Sequence, residues 1–259
     1  MPPSFFAVTV ALIALLALSG YFLLALSSPV KSFINKFYGE ENISFAWRMY
    51  ERLSGTFILG VLPAFVIFIV KKGNEIPAFF FMGAITRFYL IPVCCTSILI
   101  INFFATRKAS NRKGYPLIRR KNWDGWMMLK NQLSWTVYLF AYEYLFRGVL
   151  FSSCIVLVGW PAAMIMNVML YSVLHFHRGI KQVICSGPFG VVLCLVTIAT
   201  TSWISAALLH AAFANSYEFF VIAHRKKWWR SSRSETSSFS PSLLSENDKF
   251  FNTSYENIR

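Results

Sequence analysis

The sequence predicts an all-α, polytopic transmembrane helical bundle of about seven to eight membrane helices. Three observations predict it. Of the 259 residues, 56% are hydrophobic, and the mean hydropathy is +0.52. Apolar runs of about 20 residues, the length that crosses a bilayer core, recur along the chain. Lys and Arg collect between those runs and in the tail. Helices and closed barrels are the only spanning structures that satisfy every backbone group in lipid, and runs this long read as helix. The formal charge of +14 sits in connecting segments, as expected of cytoplasmic loops, which argues against nucleic acid as a partner and for membrane lipid.

The first span covers Phe5 to Ser27. No Lys or Arg precedes it, and it is longer than a signal-peptide core, so it is expected to stay in the membrane. A mixed-charge loop with Lys31, Lys36, Arg48 and Glu51 leads to the second span, Leu53 to Val70, which Lys71 and Lys72 stop. The third covers Ala78 to Ala105, where Arg87 and Pro92 predict a kink or a late start.

From Arg107 to Lys130 basic residues face a single acid, Asp124, which assigns this loop to the cytoplasm. The fourth span then runs from about Gln132 to Val158, turns at Gly159-Trp160-Pro161, and returns as the fifth through Phe176. Arg178 and Lys181 mark the inside again. The sixth span is Phe189 to Thr200, and the seventh is Trp203 to Ala223, ending at Arg225, Lys226 and Lys227. The C-terminus is therefore expected to be cytoplasmic, in a multi-pass protein of the cell membrane. An odd number of spans then leaves Lys71 and Lys72 on the outer face; an eighth, re-entrant or split span near 78–105 would remove that conflict. The last segment, 224–259, is expected to be a cytoplasmic tail, rich from Ser231 onward in Ser, Asn and charge and disordered there. Cys94, Cys95, Cys154, Cys185 and Cys194 show no metal-ligand spacing and read as small packing residues.

Ionisable groups within the spans are the candidates for function, since each costs about 2.5–3.5 kcal/mol to insert and needs a partner. Glu143 and Arg147 stand four residues apart on the fourth span, hence on one helix face, with Gly148 allowing a neighbour to approach. His175 lies near the inner end of the fifth span and His210 within the seventh. Asn215 follows on the same helix, a side-chain amide able to donate to a developing oxyanion. A carboxylate withdrawn from water accepts a proton more readily, while neutral imidazoles orient water or bind a divalent metal such as zinc. Water activation is common to both chemistries. His177, two residues from His175, falls on another face and reads as an interface residue.

In order and spacing these residues resemble the CAAX prenyl protease and bacteriocin-processing family of intramembrane proteases, also called Abi. Its motifs are E-E-x-x-x-R, F-x-x-x-H and H-x-x-x-N, each on a separate helix. Tyr142 to Gly148 is similar to the first, Tyr171 to His175 to the second with Tyr for Phe, and Gly190 through Trp203 to His210 to the run into the third. The likeness covers roughly 130–223, leaving 1–129 as N-terminal helices and basic loop. It implies an intramembrane endopeptidase acting on a membrane-associated peptide or protein, with Glu143, His175, His210 and Asn215 as catalytic residues and Arg147 as a structural partner of Glu143. Two positions depart from the pattern: Tyr142 stands where the family has its first glutamate, and Ala214 where it has its asparagine. They favour a second reading, a catalytically inactive membrane protein of the same fold that binds or protects a partner. A transporter is a third class, motivated by buried charge alone.

Overall fold

A computed structural model describes residues 3–25, 27–71, 87, 89–108, 114–119, 123–176 and 179–236, with side chains characterised as far as residue 224. The described chain is helical: α1 (Pro3–Ala25), α2 (Ser28–Phe37), α3 (Glu40–Gly55), α4 (Leu62–Lys71), α5 (Leu90–Ala105), α6 (Gly125–Glu143), α7 (Ser152–Val158), α8 (Trp160–Val173), α9 (Ile180–Thr200) and α10 (Trp203–Thr236). π-Helical segments at Thr56–Val61 and Tyr144–Phe151 join α3 to α4 and α6 to α7, so each pair forms one rod. Among the described residues five helices are long and apolar enough to cross a membrane, and Leu90–Ala105 and Trp160–Val173 are shorter apolar ones. The protein is an all-α polytopic membrane bundle.

Side-chain contacts fix the directions. Arg52 bonds Asn131, and a Cβ on Gly60 would lie 2.8 Å from that of Ala141, so α3–α4 runs parallel to α6. His210 meets Glu143, Asn215 meets Thr136 and Glu218 meets Asn131, so α10 runs antiparallel to α6. Asn102 and Phe103 of α5 reach Ser216 and Phe220, which places α5 parallel to α10. One end of the bundle thus receives α2, the 106–124 connection, the α8–α9 turn and the end of α10. Of the described residues, Lys36, Arg107, Lys108 and Arg119 lie at this end, called the basic face below.

Lys71 ends α4 and Leu90 starts α5 at the opposite face, so the chain enters and leaves 72–89 on one side. Of the proposed extra span near 78–105, residues 78–86 and 88 lie outside the described residues. Arg87 is left-handed at φ 52°, and α5 begins at Leu90. Arg87 Nη1 donates to the Ala199 carbonyl at the end of α9, 3.4 Å away.

Three helices begin earlier than hydropathy suggests. The rod of the second span starts at Glu40, and α2 and α3 are helical where the mixed-charge pattern predicts a loop. α6 starts at Gly125 because Asp124 caps it, its Oδ1 accepting from Met127 N at 2.6 Å. α9 starts at Ile180 and carries Pro188 inside it, whereas the apolar run is clearest from Phe189. α10 continues through Thr236, past the expected onset of the tail at Ser231; 237–259 and His177 lie outside the described residues. The main core joins α1, the α3–α4 rod and the α6–α7 rod with α8, around Val10, Leu59, Phe146, Phe151 and Tyr171. Their outward faces stay apolar and exposed, as lipid requires.

Candidate active site

Glu143 closes α6 and Arg147 lies one turn further, inside the Tyr144–Phe151 segment. Both side chains are fully buried, and Arg147 Nη1 is 2.9 Å from Glu143 Oε2. The guanidinium also lies over the Tyr171 ring, 4.6 Å from its centre. Neighbouring helices are admitted closely here: a Cβ on Gly148 would meet the Trp203 indole at 3.0 Å, and one on Gly190 would meet the Tyr171 ring at 3.1 Å.

The other carboxylate oxygen, Oε1, is 2.6 Å from His210 Nδ1. An ionised carboxylate only accepts, so Nδ1 carries the proton in this contact, and in the neutral imidazole Nε2 is then the nitrogen with the lone pair. The imidazole retains 12% of its surface whereas Glu143 retains none, so His210 is the open end of the pair. Tyr142, Tyr171 and Phe189 present their rings nearly edge-on to it, with centroids at 6.2, 6.3 and 5.4 Å.

His175 does not share that carboxylate contact. Its Nδ1 is 2.8 Å from the Tyr171 carbonyl one turn back, and its ring lies 4.6 Å from the Tyr171 ring. Tyr171 therefore touches both histidines and the guanidinium, a junction that the second motif placed in sequence without indicating its contacts. Asn215 stands apart from Glu143: its Nδ2 donates to Thr136 Oγ1 at 2.7 Å, two turns below Glu143 on α6. Ala214 packs with Trp135, Leu139 and Ala211. Tyr142 is buried and stacks on Phe146 at 4.5 Å. The sequence-predicted residues thus divide into a Glu143–Arg147–His210 cluster, His175 across Tyr171 from it, and Asn215 elsewhere on the α6–α10 interface.

A second buried charge centre was not anticipated. Glu218 on α10 is fully buried, with Oε1 accepting from Leu117 N and Oε2 from Asn131 Nδ2, both at 2.7 Å. Arg52 donates to the Asn131 carbonyl and side chain and to Ser134, and lies 4.8 Å over the Trp135 ring. The available signal was an acid inside the last span, eight residues after His210 and so near its helix face.

Among the described residues no three His, Cys, Asp or Glu side chains converge as a metal would need. Glu143 supplies one carboxylate and His210 one imidazole, with a guanidinium cation against the same carboxylate. This donor set does not fit Zn²⁺, which favours three or four neutral or anionic ligands. What the cluster can do is hold an imidazole in one tautomer beside a buried anion, the arrangement of a histidine poised as a base.

Comparison with known proteins agrees with the motif order. Residues 125–215 match the family model described as type II CAAX prenyl endopeptidase Rce1-like. No curated protein and no solved structure matches the chain. The matched segment begins at α6 and ends in α10, and holds Glu143, Arg147, Tyr171, His175 and His210. Over residues 125–215, about a third of the chain, the protein is thus similar to the type II CAAX prenyl endopeptidases in family model and in motif order.

Proposed function

We propose that the protein is an intramembrane endopeptidase that cleaves a membrane-associated peptide or protein tail. The observation that carries this reading is the Glu143–His210 contact at 2.6 Å, which orients an imidazole with its second nitrogen available. In the reaction His210 Nε2 takes a proton from water, and the hydroxide oxygen bonds to the scissile carbonyl carbon. The imidazolium, balanced by Glu143, returns the proton to the leaving amine as the C–N bond breaks. Arg147 holds Glu143 in place. His175, whose Nδ1 donates to the Tyr171 carbonyl, donates to the substrate carbonyl oxygen from Nε2 as an imidazolium.

Cleavage of a membrane-anchored reporter library in proteoliposomes tests this. Glu143→Gln, His210→Ala and His175→Ala should each lower turnover by about 10²–10⁴-fold, the range for loss of general acid–base help. Unchanged turnover in all three would remove the mechanism. A second reading, a family-fold protein that binds or protects a partner without cleaving it, is favoured by Tyr142 in place of an acid and by Glu143 having both oxygens engaged. In that case wild-type protein cleaves nothing, and partner protection survives Glu143→Gln.

We also propose that the basic face is cytoplasmic and that its Lys and Arg residues draw anionic lipid or an acidic substrate segment. A green fluorescent protein fused after Arg259 should fluoresce, and alkaline phosphatase there should be inactive. The reverse pattern would invert the topology.

A further inference from the structure

The two-turn π-helical segment Tyr144–Phe151 carries Arg147, yet a continuous apolar helix has no intrinsic reason to widen there. Its hydrogen bonds span five residues instead of four, a rare geometry that needs support from outside the helix. Three side chains supply donors to its backbone, and one of them, Ser153 Oγ, donates to the Val149 carbonyl at 2.8 Å. Ser152 Oγ donates to the Arg147 carbonyl at 3.0 Å from the next turn. Asn167, on α8 and 2% exposed, donates through Nδ2 to the Phe146 carbonyl at 2.9 Å. The Asn167 amide is itself oriented from α9, because Cys194 Sγ lies 3.5 Å from its Oδ1.

An amide buried in a membrane helix finds a partner or imposes a cost, and here its partner is the peptide group immediately before Arg147. An α-helical register at this point would turn Arg147 and the residues after it relative to Glu143, since each residue of register is worth about 100°. Glu143 and Arg147 share a face in either register; the wider turn sets the angle at which the guanidinium meets the carboxylate that holds His210.

We infer that Asn167 is a positioning residue: its bond to the Phe146 carbonyl holds the π-helical turn that sets Arg147 against Glu143 and so fixes Glu143 on His210. It touches none of the three charged side chains, acting only through the backbone that bears one of them. Its consequence for turnover rests on the protease reading above; its consequence for geometry does not.

The test is ¹⁵N-histidine NMR of the full chain in lipid nanodiscs, with the His210 signal assigned by His210→Gln. Wild type should show a strongly downfield Nδ1 proton from the bond to Glu143, absent in Glu143→Leu. Asn167→Leu, which keeps volume but removes the donor, should lose or shift that proton, and Asn167→Gln should partly restore it. Should Asn167→Leu fail to fold, Cys194→Ala, which frees the amide and also takes the thiol away from Arg147, should broaden or shift the same signal. An unaltered His210 signal in Asn167→Leu or, failing its folding, in Cys194→Ala would overturn the inference. If wild type cleaves the reporter, the Asn167→Leu loss should fall on kcat by at least tenfold with KM little changed. A shifted His210 signal together with no cleavage by wild type would sink the protease reading and leave this inference standing.

Discussion

Replacing Glu143 by Leu should lower unfolding stability by about 3–5 kcal/mol, the usual cost of stranding one member of a buried ion pair. The physical reason is Arg147: fully buried, it loses the charge 2.9 Å away and keeps the rings of Tyr171 and Phe146, neither of which balances its charge. His210 loses the acceptor of Nδ1 at the same time. Arg147→Met alone should cost a similar amount by stranding Glu143. The double variant Glu143→Leu/Arg147→Met should recover most of the loss, because both desolvation penalties vanish together. Thermal unfolding of the four proteins in one detergent measures the cycle. Simple additivity of the two single losses would mean that the pair does not clamp this region.

Glu218→Leu should be the second large effect. It removes the acceptor of two buried donors, Asn131 Nδ2 and the Leu117 amide, each worth about 1–3 kcal/mol when left without a partner. Its reach should be local first. The 114–119 segment is held to α10 by that carboxylate and by packing of Ile118 with Trp123, Met127 and Ile222. Hydrogen exchange of the Leu117 amide should therefore accelerate in Glu218→Leu well before the bundle melts, and less in Glu218→Gln, which retains one acceptor. Equal exchange in wild type and Glu218→Leu would show that the segment does not depend on this bond.

How much of this was legible in the sequence differs from one feature to the next. The spans were, because their cause is local: apolar runs and basic stops need no partner to be read. Asp124 as a cap was equally local, yet hydropathy alone placed the start of α6 near Gln132 and missed it. The Glu143–Arg147 pair followed from i,i+4 spacing, which the π-helical turn preserves. That Glu143 would also meet His210 rather than His175 depends on how α10 and α8 rotate about their axes, and no pattern within either helix states that. Asn167 looked like one polar residue in an apolar run, since its significance lies in the carbonyl it reaches on another helix. Glu218 was readable as a charge in a span but was passed over in favour of the motif residues.

The unequal lengths of the hairpin at Gly159 carry a further consequence. The rod from Gly125 to Val158 has 34 residues, about 51 Å at 1.5 Å per residue, against a hydrocarbon core of about 30 Å. Its partner α8 has 14 residues, about 21 Å, and falls short of that thickness. One arm overshoots the bilayer that the other cannot cross. Counted from the shared turn, Glu143 and His175 lie nearly the same number of residues down their helices, so the end of the short arm brings His175 to the level of Glu143. Lipid must thin there to meet α8, drawing headgroups and water toward the two histidines. Acyl-chain length thereby becomes a control variable for this protein: a thicker membrane increases the mismatch at the short arm, and a thinner one relieves it.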